Sequence, residues 1–567
     1  MKHRIFILLG FLITFNNLQG QNGYTERIQE ALQKMWKSND TTSYKQSLDM
    51  FEEAFTAYPD SIDGLGLYKA SVLASELYYN DKAFKYLGEL LKLKKDNYGS
   101  PCWTYIVGKY SENEYKNLLS DLRWQYLVTQ AEKEKAVFYQ ELSIDEKEFY
   151  QTKSTFLTEN RNGNLKELYE EIKRFTPYLP KNKQDYSIVF TINDSTKTSF
   201  LVHLPPNYNP EKKYPLLFFL HGAVRNNALT DFQMPEWNLK DWNRFYTKYA
   251  EKDGVVLVFP KADREYNWMI PDKGFFIVPE ILKLIKRAIN IDDAKVFITG
   301  HSNGATGSFS YMMKQPSFFA AAYGFNTYPK VFTGGTFIEN LTNRSFISFT
   351  TDQDYYYPPQ ANDNFTKLMQ GVGLNYKEYR YNGYPHWFPE FEKSEEAVKI
   401  LFEDIKQKRR PKFPSNILWE FDDNKYGNID WLSNICLDTL RAPQKWHTVP
   451  ANFKIDKWLK YNKEDSLETI TVDRQAFDFP RKSGKIKATY RKNIFHIETS
   501  CIQSFCINLS PEMVDMNKKI KVYVNGKLHF NKKVLYNKSF LLENFDENQD
   551  RERIWVNQIK ISVDKQL

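Results

Sequence analysis

Ser302 sits in Gly300-His301-Ser302-Asn303-Gly304, and its neighbours suggest a nucleophile. Lys295 to Thr299 is a short, mostly apolar run that reads as a buried strand, Ala305 to Gln315 can be helical, and Pro316 would stop that helix. A strand, a glycine-serine-glycine turn and a helix would lift the Ser302 hydroxyl above a sheet and aim a helix N-terminus at the site. The turn leaves no room for side chains at positions 300 and 304. A serine hydroxyl is a poor nucleophile at neutral pH and needs a base to take its proton. Of eight histidines, His386 alone lies between this turn and the basic, proline-containing stretch Lys406 to Pro414. It stands in Gly383-Tyr384-Pro385-His386-Trp387, just past a strand-like segment. An acid is needed to orient the imidazole, and two candidates, Asp352 and Asp354, follow the strand-like run Ser345 to Thr351.

Charge that develops on a carbonyl oxygen needs preorganised donors. The N–H of Asn303, directly after the nucleophile, is one candidate. The other is expected from the loop after His221-Gly222, at Ala223 or Val224. His221, Gly222, Tyr355 and Trp387 are the candidate substrate-binding residues. Tyr356, Tyr357, Phe388 and Trp268 add aromatic surface that could stack on a sugar or an aromatic acyl group.

The elements that must hold these residues fall into three regions. Residues 23–180 carry apolar positions at three- and four-residue spacing and are expected to be helical, as in Leu48, Phe51, Ala54 and Phe55. Phe51 and Phe84 lie 33 residues apart, and the segment Phe51 to Asp60 resembles the end of a tetratricopeptide repeat. From 181 to 408 the period changes. Ser187 to Ile192, Thr198 to Leu204, Pro215 to Leu220 and Gly254 to Pro260 read as strands, alternating further on with helical segments, which implies a mostly parallel sheet flanked by helices. Residues 413–567 alternate apolar and polar positions and include Asn525-Gly526, a hairpin turn. They are expected to form an all-β domain, a β-sandwich of immunoglobulin-like size.

Two stretches, Leu204-Pro205-Pro206-Asn207-Tyr208 and Tyr214 to Gly222, resemble the opening of secreted esterases of the α/β-hydrolase superfamily, polyhydroxybutyrate depolymerase and feruloyl esterase-like members in particular. Asn290 to Val296, running into Gly300 to Gly304, is similar to that family's approach to its nucleophile turn. The resemblance covers about 190–405. It implies an α/β-hydrolase core, acyl-enzyme chemistry without a cofactor, and a Ser302-Asp354-His386 triad. Asp354 is favoured because the family places a proline four residues past its acid, where Pro358 stands; Thr351 departs from the family's glycine. The C-terminal segments Asp430-Trp431-Leu432 and Val522 to Lys527 are more loosely similar to a β-domain appended to such hydrolases.

The bulk composition is that of a globular protein: 567 residues, 42% hydrophobic and 26% charged, enough for more than one domain. The net charge of +8 is dispersed, apart from Lys406 to Lys412, which argues against nucleic-acid binding. Lys2, His3 and Arg4, followed by the apolar run Ile5 to Phe15, read as a signal peptide over residues 1–20, with export to the periplasm or medium. No cysteine follows that run, so a lipid anchor is not expected, and no later segment is apolar enough to span a membrane. Four cysteines are too few for a disulfide framework and lack zinc-site spacing, so no metal is expected. The leading expectation is a secreted carboxylic ester hydrolase acting on a small-molecule or polysaccharide-linked ester. A prolyl-oligopeptidase-like peptidase and a non-catalytic binding or scaffold protein, with a protein partner on the helical domain, are the competing readings.

Overall fold

The computed structural model describes residues 22–37, 40–153, 164–462 and 466–563. The expected signal peptide lies outside these residues. The described residues form two compact units: those up to Lys147 with Met234–Asn238, and those from Glu148 to Gln233 with those from Leu239 onward.

The first unit is helical. Helices α1 (Asn22–Lys37) and α2 (Thr41–Ala57) form one pair, and α3 (Gly64–Glu76) and α4 (Asn80–Leu93) a second. Asp40 and Asp63 cap α2 and α3, accepting from Ser43 N (2.8 Å) and Gly66 N (2.7 Å). Leu48, Phe51, Ala54 and Leu87 are fully buried, so the apolar spacing read from the sequence is core. The second pair starts more than 33 residues after the first, wider than the interval between Phe51 and Phe84.

The second unit contains an eight-stranded sheet of order β1-β2-β4-β3-β5-β6-β7-β8. Its strands are β1 (Asp185–Asn193), β2 (Thr196–His203), β3 (Tyr214–Leu220), β4 (Val256–Pro260), β5 (Ile291–Gly300), β6 (Ala321–Phe325), β7 (Ser345–Gln353) and β8 (Tyr376–Pro385). β2 runs antiparallel to β1 and β4, and the other pairings are parallel. Leu216 to Leu220 and all of β4 are buried, as strands covered on both faces must be. Helices Arg244–Asp253, Ile277–Ala288, Asn303–Lys314, Pro359–Val372 and Ser394–Gln407 connect them. β6 has no counterpart among the expected strands. Ala321-Ala322-Tyr323-Gly324-Phe325 is short and contains alanine and glycine, residues depleted in strands, and its enclosure by β5 and β7 decides its conformation.

Two expected boundaries and one expected class change. The helical domain does not extend to 180: helix Leu165–Arg174 buries Leu168, Tyr169 and Ile172 in the core of the second unit. Residues 413–567 do not form a separate domain, because one apolar cluster runs from Ile298 and Phe309 to Trp419 and Phe505. Nor is that region all-β, since helix Lys538–Asn548 packs Phe545 edge-on against Phe175 at 6.4 Å.

Its strands are β9 (Asn416–Phe421), β10 (Leu432–Leu437), β11 (Lys454–Tyr461), β12 (Leu467–Gln475), β13 (Gly484–Arg491), β14 (Ile494–Ser500), β15 (Ile502–Leu509), β16 (Ile520–Val524), β17 (Lys527–Lys532) and β18 (Asn557–Ser562). They build a five-stranded sheet, β17-β16-β14-β13-β9, a three-stranded sheet, β10-β15-β18, and the hairpin β11-β12. Trp431, beside β10, packs edge-on against Tyr490 and Phe495 of the larger sheet. The parallel pairing of β14 with β16 departs from an immunoglobulin sandwich, whose sheets are antiparallel.

Buried charges join this β-rich region to the α/β core. Asp430 accepts from Arg344 and Arg553 at 2.5 Å each, Asp550 pairs with Arg410 at 2.7 Å, and Asp422 pairs with Lys314 at 2.8 Å. Burial opposes ionisation of Asp430, but Arg344 and Arg553 outweigh it and hold the carboxyl below its usual range.

Candidate active site

Ser302 occupies the turn between β5 and helix Asn303–Lys314 with φ +57 and ψ −119, a strained conformation for a residue with a side chain. Close packing maintains it. A Cβ on Gly304 would stand 1.8 Å from Leu220 O, and one on Gly300 would stand 2.5 Å from the same oxygen. Neither position tolerates a side chain. Ser302 N donates to Phe325 O (3.0 Å), fixing the turn against β6.

His386 follows β8 directly and is buried. Its Nδ1–H donates to Asp354 Oδ1 at 2.9 Å, and Asp354 is itself 1% exposed. That carboxylate also accepts from Tyr356 N (2.9 Å) and from Asn326 Nδ2 (3.0 Å). Asp352, the other candidate acid, instead accepts Gly383 N–H at 2.7 Å on the strand preceding His386. Thr351, which stands where the resembled family has glycine, has a positive use. Its hydroxyl donates to Pro385 O (3.2 Å) and accepts from Asn326 Nδ2 (2.6 Å), so one side chain links the acid loop to the residue before His386. Among the described residues, His386 Nε2 is buried without a hydrogen-bond partner, and no hydrogen bond joins it to Ser302 Oγ in this structure.

The loop after β3 lies against the turn. A Cβ on Gly222 would stand 3.2 Å from Ser302 Cβ. Ala223 adopts a left-handed conformation with φ +51. Val224 N donates to Asn303 Oδ1 at 3.2 Å, which spends the Val224 donor and leaves Ala223 as the candidate beside Asn303 N. The Asn303 side chain therefore ties one candidate donor loop to the other.

The remaining expected site residues divide. Trp387 and Tyr356 lie 5.1 and 4.4 Å from the His386 ring, centroid to centroid, and Tyr355 reaches the group through a tilted ring contact with Tyr356 at 4.1 Å. His221 needs correction as a polar substrate contact. Its Nδ1–H donates to Gly222 O (2.7 Å) and its Nε2 accepts from Ala262 N (3.1 Å), so both nitrogens brace the loop. Burial, and then Lys261, push its pKa down to about 3. Trp268 is fully buried against Gly307 and His221, and Tyr357 and Phe388 are core. Two residues escaped the sequence reading. Trp242 lies 5.2 Å from the His301 ring and 5.9 Å from Trp387, and nothing in its local sequence marks it. Asn326, left-handed at φ +54 just after β6, was missed because β6 itself was missed. His301 donates from Nε2 to His386 O at 2.8 Å, and burial, with His386 next, lowers its pKa to about 3.

The strand order, the strained serine turn at the C-terminal end of β5 and the buried Asp-His pair beyond β7 and β8 define an α/β-hydrolase architecture. Residues 193–354 match the esterase family model, described as "Putative esterase". No curated protein matches the chain. Among solved structures, a thermostable esterase aligns at 20% identity and TM-score 0.33 over 40% of this chain and 64% of that one, less than two thirds of its length. A ferulic acid esterase aligns at 17% identity and TM-score 0.32 over 40% and 99% of the two chains. Est1E from Butyrivibrio proteoclasticus aligns at 15% and TM-score 0.31 over 39% and 99%.

Proposed function

We propose that this protein is a serine hydrolase of carboxylic esters, with Ser302 as nucleophile, His386 as base and Asp354 as the acid that orients it. The observation that carries this reading is the strained Ser302 turn beside a buried His386-Asp354 pair whose Nε2 is unoccupied. His386 Nδ1–H is fixed on Asp354, so the free Nε2 is in the tautomer that accepts the Ser302 proton. Apo sites often hold this contact loosely, and substrate closes it. Ser302 Oγ then attacks the acyl carbon, and the N–H groups of Asn303 and Ala223 receive the oxyanion. His386 returns the proton to the leaving alkoxide, and water releases the acyl group by the same steps. The esterase match over 193–354 supports an ester rather than an amide substrate. The basic and apolar N-terminus supports export, and the paired helices of the first unit support a repeat-like surface for a protein partner.

The test is labelling with a fluorophosphonate probe, together with turnover of short 4-nitrophenyl esters and of peptide amides, on wild type and Ser302→Ala. Ester turnover and labelling that both vanish in Ser302→Ala are expected. Amide cleavage without ester cleavage would overturn the ester assignment, and labelling that survives Ser302→Ala would overturn the nucleophile.

A further inference from the structure

Beside the site is a cavity of about 230 Å³ lined by Arg225, Arg264, Asn267, Met269, Ile270, Phe332 and Thr333. Its segments follow β3, β4 and β6, so it opens at the C-terminal ends of the parallel strands, the edge that carries Ser302. Arg225 stands two residues after Ala223. Asn267 and Met269 flank Trp268, whose ring lies 4.8 Å from that of His221 and against Gly307 of the helix that Ser302 begins.

Among the described residues, neither guanidinium in this cavity has a charged or hydrogen-bonded partner. The acids that flank Arg264 in sequence have other partners. Asp263 Oδ1 accepts from Glu265 N (2.9 Å) and Tyr266 N (2.8 Å). Glu265 pairs with Lys273 at 3.1 Å, and Asp272 pairs with Arg481 at 2.9 Å. The backbone of the loop is braced around Arg264. Asn267 Nδ2 donates to Asp263 O (3.0 Å) and Arg264 O (3.1 Å), while its Oδ1 accepts from Met269 N (2.9 Å) and Ile270 N (3.2 Å). Two exposed, unpaired arginines, one on a loop with a braced backbone, thus line one small cavity with no carboxylate in the lining.

We infer that this cavity binds a carboxylate carried by the ester substrate, held between the guanidinium groups of Arg225 and Arg264. Planar guanidinium donors match a carboxylate's two oxygens, and an open cavity at the strand ends is where a substrate group beyond the scissile bond would rest. Phe332 and Met269 line the same cavity and would cover the apolar part of the chain that bears the acid. The inference rests on the hydrolase reading and narrows its substrate to acidic esters.

The test measures kcat/KM on three esters: neutral 4-nitrophenyl butyrate, the 4-nitrophenyl half-ester of glutaric acid (carboxylate on the acyl side) and 4-acetoxybenzoate (carboxylate on the alcohol side). Wild type should prefer one of the acidic esters. Arg225→Gln and Arg264→Gln should each lower the acidic-to-neutral ratio about tenfold, the loss expected for one charge-assisted contact. A ratio that neither substitution moves, or a wild type without acidic preference, overturns the inference. Competition separates carboxylate from phosphate: glutarate should inhibit more strongly than inorganic phosphate, and the reverse order overturns the carboxylate assignment. If fluorophosphonate fails to label Ser302, the hydrolase reading fails by itself. Calorimetric binding of glutarate to Ser302→Ala, lost in Ser302→Ala/Arg264→Gln, still decides the cavity.

Discussion

The seam joining the α/β core to the β-rich region and the strand-end edge carrying Ser302 differ in how their charged groups are paired. At the seam each buried charge has an opposite partner: Asp430 lies between Arg344 and Arg553, Asp422 meets Lys314, and Asp293 meets Lys286 at 2.8 Å and Arg551 at 3.3 Å. At the edge, among the described residues, the exposed Arg225 and Arg264 line a cavity without a counter-ion, and His386 Nε2 and Asn326 Oδ1 are buried without a hydrogen-bond partner. An unpaired buried nitrogen such as His386 Nε2 costs stability, whereas an exposed, unpaired guanidinium costs little and stays available to an anion.

Substitutions can break that contrast. The largest effect is expected from Ser302→Ala, which should lower kcat by roughly a millionfold, with a melting temperature unchanged or raised because alanine keeps the fold without the nucleophile. Burst and steady-state ester kinetics with parallel calorimetry read both. Asp354→Asn should lower kcat by about ten-thousandfold through loss of the imidazole tautomer, whereas Asp352→Asn should leave kcat within about twofold. Equal losses in the two would place the acid wrongly. Asp430→Asn tests the seam from the other side. It strands Arg344 and Arg553 and should cost about 3–5 kcal/mol in denaturant unfolding, while kcat per folded molecule stays at the wild-type value. A fall in kcat there would dissolve the distinction.

Asn303→Ala is smaller. It leaves Val224 N–H without its acceptor and loosens the loop that carries Ala223, and a drop of roughly ten- to a hundredfold in kcat with little change in KM is expected. A further expected effect is on pH stability. His221 and His301 are held neutral, with pKa values near 3 against an ordinary 6.5. The unfolded chain therefore binds protons that the folded chain refuses. Stability is full above about pH 6.5 and falls as pH drops toward 3, by at most about 1.4 kcal/mol per pH unit for each histidine. Melting curves between pH 7.5 and 4 should show this slope, and His301→Gln should reduce it.

Much of this site was legible in the chain because tight turns and buried strands constrain residue types locally. Gly300 and Gly304 are dictated by the approach of Leu220 O, and the apolar runs β3, β4 and β5 need no partner to be recognised. His386 was legible by position, as it follows a strand late in the core. What was not legible depends on enclosure. β6 is a strand because β5 and β7 surround it, so Asn326 and its bonds to Thr351 and Asp354 were invisible with it. Trp242 joins the aromatic group around His386 from a helical segment with no motif. The boundary placed at Lys406 to Pro414 failed for the same reason: local composition suggested a hinge, but the apolar core passes beneath it without a break.

That unbroken core bears on how such a gene can be rearranged. A β-rich module strung behind a catalytic domain by a linker can be lost, duplicated or exchanged by recombination with little harm to either part. Here an exchange at the proline-containing stretch would bare Trp419, Phe421 and Ile417 on one product and leave Lys314 and Arg344 without counter-ions on the other. Neither half would be inherited well alone. The two segments are therefore expected to travel together through lineages, and a search for relatives should treat catalytic core and β-rich region as one heritable piece.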